Sequence, residues 1–250
     1  MTAKQWPFWL LTIILHLTYS AVVPAMASER LRFVDVNELR PTQMNIGLIE
    51  VKRKAEKLES FSNHQLDEYL RENPIPVVIG PHEKLYLVDH HHLSRALIEN
   101  QNKVDKKRRH TNVYITIIAD LSNLSKNEFW KEMAARNYTF LKDANGNDIE
   151  PKDLPKNVAD MGDDFYRSLA GAVKNDGAYT KVKTPFTEFA WATFFRERIK
   201  LQPGDPKTNF VTAKRQAIAL AQSEDARNLP GFRSRCVNLF STPTPIGKAQ

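Results

Sequence analysis

Ile75-Pro76-Val77-Val78-Ile79-Gly80-Pro81-His82-Glu83-Lys84-Leu85-Tyr86-Leu87-Val88-Asp89-His90-His91-His92-Leu93-Ser94-Arg95-Ala96-Leu97-Ile98 changes hydrophobic period at Asp89. Before it, two short β-branched and apolar runs flank Gly80–Lys84, which reads as a hairpin turn. After it, Leu93, Ala96, Leu97 and Ile98 recur at helical spacing, so a helix is expected from about His90 to Asn100. A strand running into a helix gathers unpaired N–H groups and the positive end of the helix dipole at the junction, and both favour an anion. The residues at that junction are Asp89, His90, His91 and His92.

Working outward, Leu31–Val36 alternates as a first strand that Pro41 ends, and Val113–Ile118 is a further, buried strand. Leu48, Val51, Ala55 and Leu58 mark an amphipathic helix to about Ser60, and Gln65–Glu72 a shorter one that Asn73-Pro74 stops. Strand, helices, hairpin, helix and strand together make a small α/β (α+β) unit with a mixed sheet. Helical patterns then dominate, at 129–137, 164–174, 186–199 and 211–223. The expected organisation is therefore an α/β domain over 28–120, an appended α-helical subdomain over 121–240 and a flexible tail over 241–250.

The first 27 residues read differently. Lys4 precedes an apolar stretch from Phe8 to Val23, and Ala25-Met26-Ala27 supplies a small-x-small pattern, so a cleavable signal peptide is expected, with the mature chain starting at Ser28 and acting as a secreted or periplasmic protein. No transmembrane segment is expected after cleavage. Loss of Lys4 lowers the formal charge from +7 to +6, which still favours anionic partners. Cys236 is the single cysteine, so no intramolecular disulfide staples the chain.

Two readings of the histidine run stay open on residues alone. Imidazoles move protons near neutral pH and the Arg95 guanidinium, one turn on, suits phosphate oxygens, which together suggest binding or cleavage of a phosphoester. The run could equally be a polar cap bonded to neighbouring loops, with Asp89 as the N-cap. A metal site would need His64, His82 or His110 to join Asp89 and the run; no HExxH pair occurs, and adjacent helical histidines diverge by about 100°. The metal ligands stay unassigned. The cluster Lys103–His110 reads first as a solvated loop and second as a track for a nucleic-acid backbone. Phe186, Phe189, Trp191, Phe194 and Phe195 read as core, and Asp163-Asp164 as a helix cap.

Val36-Asn37-Glu38-Leu39-Arg40-Pro41-Thr42-Gln43, the hairpin, and Leu87–Leu97 resemble the ParB/sulfiredoxin superfamily, and more narrowly its ParB-like nuclease branch; Asp164–Gly171 and Pro185–Ala192 resemble that branch's helical part. The resemblance implies that the turn and its helix bind a phosphorylated ligand, nucleotide or nucleic acid through Asp89, His90 and Arg95. It implies a phosphodiester hydrolase with His91, His92 and Glu38 as catalytic residues, and a divalent metal such as Mg²⁺ as a candidate cofactor. A non-catalytic binding module and a nucleotide-dependent phosphotransferase, with Glu38 or Glu50 as base, are the alternatives. Sulfiredoxins place a reactive cysteine at this turn and partition ParB proteins a Gly-Glu-Arg-Arg turn with a helix-turn-helix; this sequence has none of these, which argues against both activities.

Overall fold

The computed structural model describes residues 31–103, 112–182, 186–201 and 206–234. The leader-like Met1–Ala27, nearly all of the basic cluster before His110, Cys236 and the tail 241–250 lie outside the described residues. Seven strands and seven α-helices are placed in the described part: β1 (Arg32–Asp35), β2 (Leu39–Pro41), β3 (Asn45–Ile46), α1 (Leu48–Glu59), α2 (Asn63–Glu72), β4 (Ile75–Gly80), β5 (Lys84–Leu87), α3 (His91–Lys103), β6 (Asn112–Asp120), α4 (Lys126–Ala135), β7 (Gly162–Asp163), α5 (Phe165–Asn175), α6 (Thr187–Arg198) and α7 (Pro206–Ala221).

Five strands form one mixed sheet in the order β1-β6-β4-β5-β2. The expected hairpin is the antiparallel pair β4–β5, while β6 runs parallel to β4 on its other side and β2 runs parallel to β5 at the edge. Because side chains alternate across a strand, neighbouring residues of β4 serve opposite faces. Val77, paired with Leu87, packs with Val51, Ala55 and Leu58 of α1 and with Leu93, Ala96 and Leu97 of α3. Val78, paired with Tyr86, packs with Phe129 and Met133 of α4. The apolar face assigned to α3 from its spacing is the buried one: Leu93, Ala96 and Leu97 are 1%, 0% and 2% exposed.

Helices α5, α6 and α7 close around a second core that contains Leu169, Trp191, Phe195 and Ala217. Trp191 stacks on Tyr179 at 4.2 Å and donates its indole N–H to the Pro230 carbonyl, so the aromatic run is core, as its spacing implies. Asp164 caps α5, accepting the Tyr166 and Arg167 N–H groups. Two features tie the helical part to the strands. β3 pairs in parallel with β7, and α1 lies against α5 where Gly47 meets Ser168.

Several boundaries differ from the sequence expectation. The first strand is shorter, and after a 3₁₀ turn at Val36–Glu38 the chain re-enters the sheet as β2, so Pro41 ends an edge strand of its own. An edge position tolerates proline because the missing N–H faces outward. Helices α4 and α7 start earlier than expected, at Lys126 and Pro206, because the Ser125/Glu128 capping box nucleates the one and proline suits the first turn of the other.

Candidate functional site

β5 delivers the histidine run to the sheet end. Val88 N–H still bonds the Pro76 carbonyl, then Asp89 leaves the sheet and lies exposed. His90 adopts a left-handed backbone, φ 66°, and its carbonyl accepts the Ser94 N–H at 2.9 Å, so α3 begins at His91. Asp89 is therefore not the N-cap expected of it. Its carboxylate accepts the N–H of His90 at 2.6 Å instead, which holds the tight turn.

The next two rings turn inward. Thr42 N–H donates to His91 Nε2 at 3.3 Å, and Gly47 N–H donates to His92 Nε2 at 3.2 Å. An Nε2 that accepts a main-chain N–H carries no proton, so both rings are neutral with hydrogen on Nδ1. Their surroundings agree. Burial drives His91 down to about 3 in spite of Asp89 nearby; burial and then the Arg167 charge drive His92 well below the usual histidine range; burial also lowers His90.

These residues wall a cavity of about 260 Å³. Its polar side consists of Asp89, His91, His92, Arg167, Lys181 and Glu188, and its apolar side of Val88, Tyr138, Val182, Phe186 and Phe189. Arg167 is only 8% exposed and its guanidinium lies 5.3 Å above the Phe189 ring. Among the described residues its side chain has one hydrogen bond, a long 3.4 Å contact from Nη1 to Glu50 Oε2, and its buried Nε has no partner. A guanidinium has five donors, so this one is left with capacity for an anion.

Carboxylates match the cations of the wall one for one, Asp89 and Glu188 against Arg167 and Lys181. Burial alone would raise the Glu188 carboxyl, but Arg167 and Lys174 outweigh it and hold it down to about 2, with Lys174 bonded to it directly. Glu50 Oε2 also lies 3.7 Å from His92 Nε2. That approach is not an ion pair, because Nε2 is an acceptor for Gly47 and the distance exceeds hydrogen-bond range.

Backbone strain gathers here as well. His90, Asn137 and Phe186 hold positive φ without being glycine; the last two line the cavity and His90 sits between two lining residues. Such outliers cost about 1–3 kcal/mol each and persist where the surroundings fix them, often at functional sites. Gly47 shows how tightly the wall is built, since a Cβ there would lie 2.7 Å from Ser168 N and 2.8 Å from its Cα. Gly47→Ala is expected to push α1 from α5, weaken the N–H bond to His92 and lower stability by about 1–3 kcal/mol, read by urea unfolding.

The placement of the sequence candidates is uneven. Asp89, His91 and His92 line the cavity together, and His90 contributes its backbone turn. Arg95 does not reach it: Nε pairs with Glu99 at 3.0 Å and Nη1 bonds the Val158 and Met161 carbonyls, so its guanidinium pins the 158–161 turn to α3. Glu38 is exposed on the Val36–Glu38 turn and is not among the lining residues. Glu50 is engaged with Arg167. Arg167, Lys181 and Glu188 went unnoticed as site residues because each sits in a helical or loop context that reads as ordinary surface.

The chain has relatives. Residues 32–197 match the family model described as "Putative ParB-like nuclease". The chain belongs to this ParB-like family. The crystal structure of protein Atu1540 from Agrobacterium tumefaciens superposes with a TM-score of 0.70 at 38% sequence identity, covering 82% of this chain and 97% of that one. No curated protein matches. The ParB-like fold accounts for the curled mixed sheet and the position of the turn; no helix among the described residues is long and apolar enough to cross a membrane.

Proposed function

We propose that this ParB-like protein takes the phosphate of a nucleotide or nucleic acid into the cavity and cleaves a phosphoester there. The observation that supports this reading most is Arg167, a nearly buried cavity-lining arginine whose side chain makes one long hydrogen bond among the described residues. In this reading Arg167 and Lys181 neutralise the phosphate, and the Nδ1–H groups of His91 and His92 donate to its oxygens. An imidazole held at about 3 carries a second proton in roughly one molecule in ten thousand at pH 7, so His91 acts as a fixed donor and not as a proton shuttle. Asp89, exposed at the rim, is the carboxylate placed to orient or deprotonate an attacking water.

A resident divalent ion does not fit these residues. Asp89 and Glu188 are the two carboxylates of the lining, Lys174 already holds Glu188, and among the described residues no group of three metal-ligating side chains converges. No step is routed through a metal; Mg²⁺ enters this reading only as a companion of the substrate.

Thermal melting with orthophosphate, nucleoside monophosphates and short oligonucleotides, with and without Mg²⁺, tests the reading, since a ligand of the folded state raises Tm. A shift together with hydrolysis that Asp89→Asn abolishes while the shift survives is the expected outcome. A shift without turnover in the unaltered protein would favour the non-catalytic binding module, which the neutral histidines also suit. The leader-like Met1–Ala27 adds that the protein works outside the cytoplasm; a mature N-terminus at Ser28 is the expected result of sequencing protein from its own host.

A further inference from the structure

A second cavity, of about 400 Å³, lies at the other end of α4 and β5. Its floor is the half-buried ring of Tyr86, backed at 4.7 Å by the fully buried Phe129; both rings approach the backbone at Gly80 so closely that a Cβ there would lie 2.6 Å from the one and 2.8 Å from the other. Its rim carries His82, Lys84, Lys126 and Ser122. His82 and the following Glu83 both hold left-handed backbone, φ 59° and 55°. Among the described residues neither Lys84 nor Lys126 has an ion-pair partner, and the nearby Glu128 is occupied by Ser125 in the capping box. Cations over an aromatic floor are the chemistry that holds a phosphate and its stacked base.

The two cavities lie along the same two elements. Lys84, Tyr86 and Val88 alternate onto one face of β5, with Lys84 at the second cavity and Val88 at the first, about 13 Å apart at a strand's rise. Helix α4 spans the same interval, from Lys126 at the second cavity towards Asn137 and Tyr138 at the first. Half-buried Trp130 stands between them, edge-on to Tyr86 at 5.4 Å. The geometry points to single-stranded nucleic acid as the ligand: one terminal phosphate enters the Arg167 cavity, and the strand leaves along the half-buried rings of Trp130 and Tyr86 so that a phosphate and base a few nucleotides away rest at Lys84, Lys126 and Tyr86. This inference rests on the phosphate reading of the first cavity. A duplex, whose bases are already stacked on one another, has no ring face to give to the floor.

The test is binding of the full-length protein to thymidine 5′-monophosphate and to 5′-phosphorylated oligothymidylates of two, four and eight residues, by competition against a labelled eight-residue strand. Affinity is expected to rise by about tenfold or more between two and four residues and then level off. K84A/K126A, on side chains outside the first cavity, should remove that rise and leave monophosphate binding unchanged, while the exposed K52A on α1 should leave both unchanged. Equal affinity for the monophosphate and the eight-residue strand, a rise that survives K84A/K126A, or equal binding of a blunt duplex would overturn the inference and leave the phosphate site standing. Failure of every nucleotide to bind would overturn both.

Discussion

Arg167→Ala is expected to abolish the thermal stabilisation conferred by phosphorylated ligands, with a loss of affinity of roughly 100-fold. Two charge-assisted hydrogen bonds from a buried fork contribute about 3 kcal/mol after desolvation, which is a factor of about 100 in Kd. The other groups at the cavity offer the anion less, because His91 and His92 are neutral donors and Lys181 is a single charge on the loop before α6. Removing the guanidinium also takes from Glu50 its hydrogen-bonded cation and leaves it beside the neutral His92, so the variant should melt lower as well. Two companions separate the effects. Arg167→Lys keeps the charge without the planar fork and should recover part of the affinity, whereas Glu50→Gln removes the carboxylate that the guanidinium hydrogen-bonds among the described residues and should bind phosphate at least as tightly as the parent. Isothermal titration with orthophosphate reads all three. An Arg167→Ala protein that folds and binds with unchanged affinity would remove the phosphate from this cavity.

The parts of this molecule that could be read in its sequence are those whose signal is local. The hairpin and the start of α3 follow from a change of period at Asp89, and the buried face of α3 from the spacing of Leu93, Ala96 and Leu97. Three of the four residues of the run do meet at one place, which the strand-to-helix turn dictates. What escaped depends on pairings between distant segments. β3 and β7 have two residues each and no period of their own; they exist because Asn45–Ile46 lies beside Gly162–Asp163. Arg95 looked like the phosphate fork because it is one turn from His91, yet the 158–161 turn claims it through two carbonyls. Arg167 is its replacement from a segment more than seventy residues further on. One hint was present: Ser168 and Gly171 are small residues where a neighbouring helix comes close, so the arginine beside them is carried inward.

That inward placement also links the site to the stability of the fold. The imidazoles stay neutral because the same walls that exclude water put a guanidinium beside them and fill Nε2 with main-chain N–H groups. A charged imidazole would have to give up its N–H acceptor role and face the Arg167 charge while buried. The site thereby keeps its positive charge on a side chain that cannot lose it, and uses the histidines for hydrogen-bond direction.

Acid should therefore unfold this protein from the histidines first. His91 takes up a proton near 6.5 when unfolded and only near 3 when folded, so the unfolded state binds more protons throughout that interval. A depressed folded pKa contributes stability that is fully present above 6.5 and is lost as pH falls towards 3, at about 1.4 kcal/mol per pH unit for one residue and up to about 5 kcal/mol in all. His92 adds in the same direction, with Arg167, Lys54 and Lys174 as the cations that face it, while Asp89 opposes the shift at His91 and His90. Glu188, held at about 2 against an ordinary 4.5, loses its contribution only below pH 4.5, so between 6.5 and 4.5 the loss comes from the histidines and is opposed only by groups such as Asp164, whose carboxyl burial raises. Urea unfolding at pH 7.5, 6.5, 5.5 and 4.8 should show stability falling across that window. His91→Gln, whose amide oxygen can still accept the Thr42 N–H but does not titrate, should flatten the fall even if it lowers stability at pH 7.5. A parent protein equally stable at pH 7.5 and 4.8 would mean that the rings admit protons in the folded state, and the proton-shuttling role of His91 and His92 would then return.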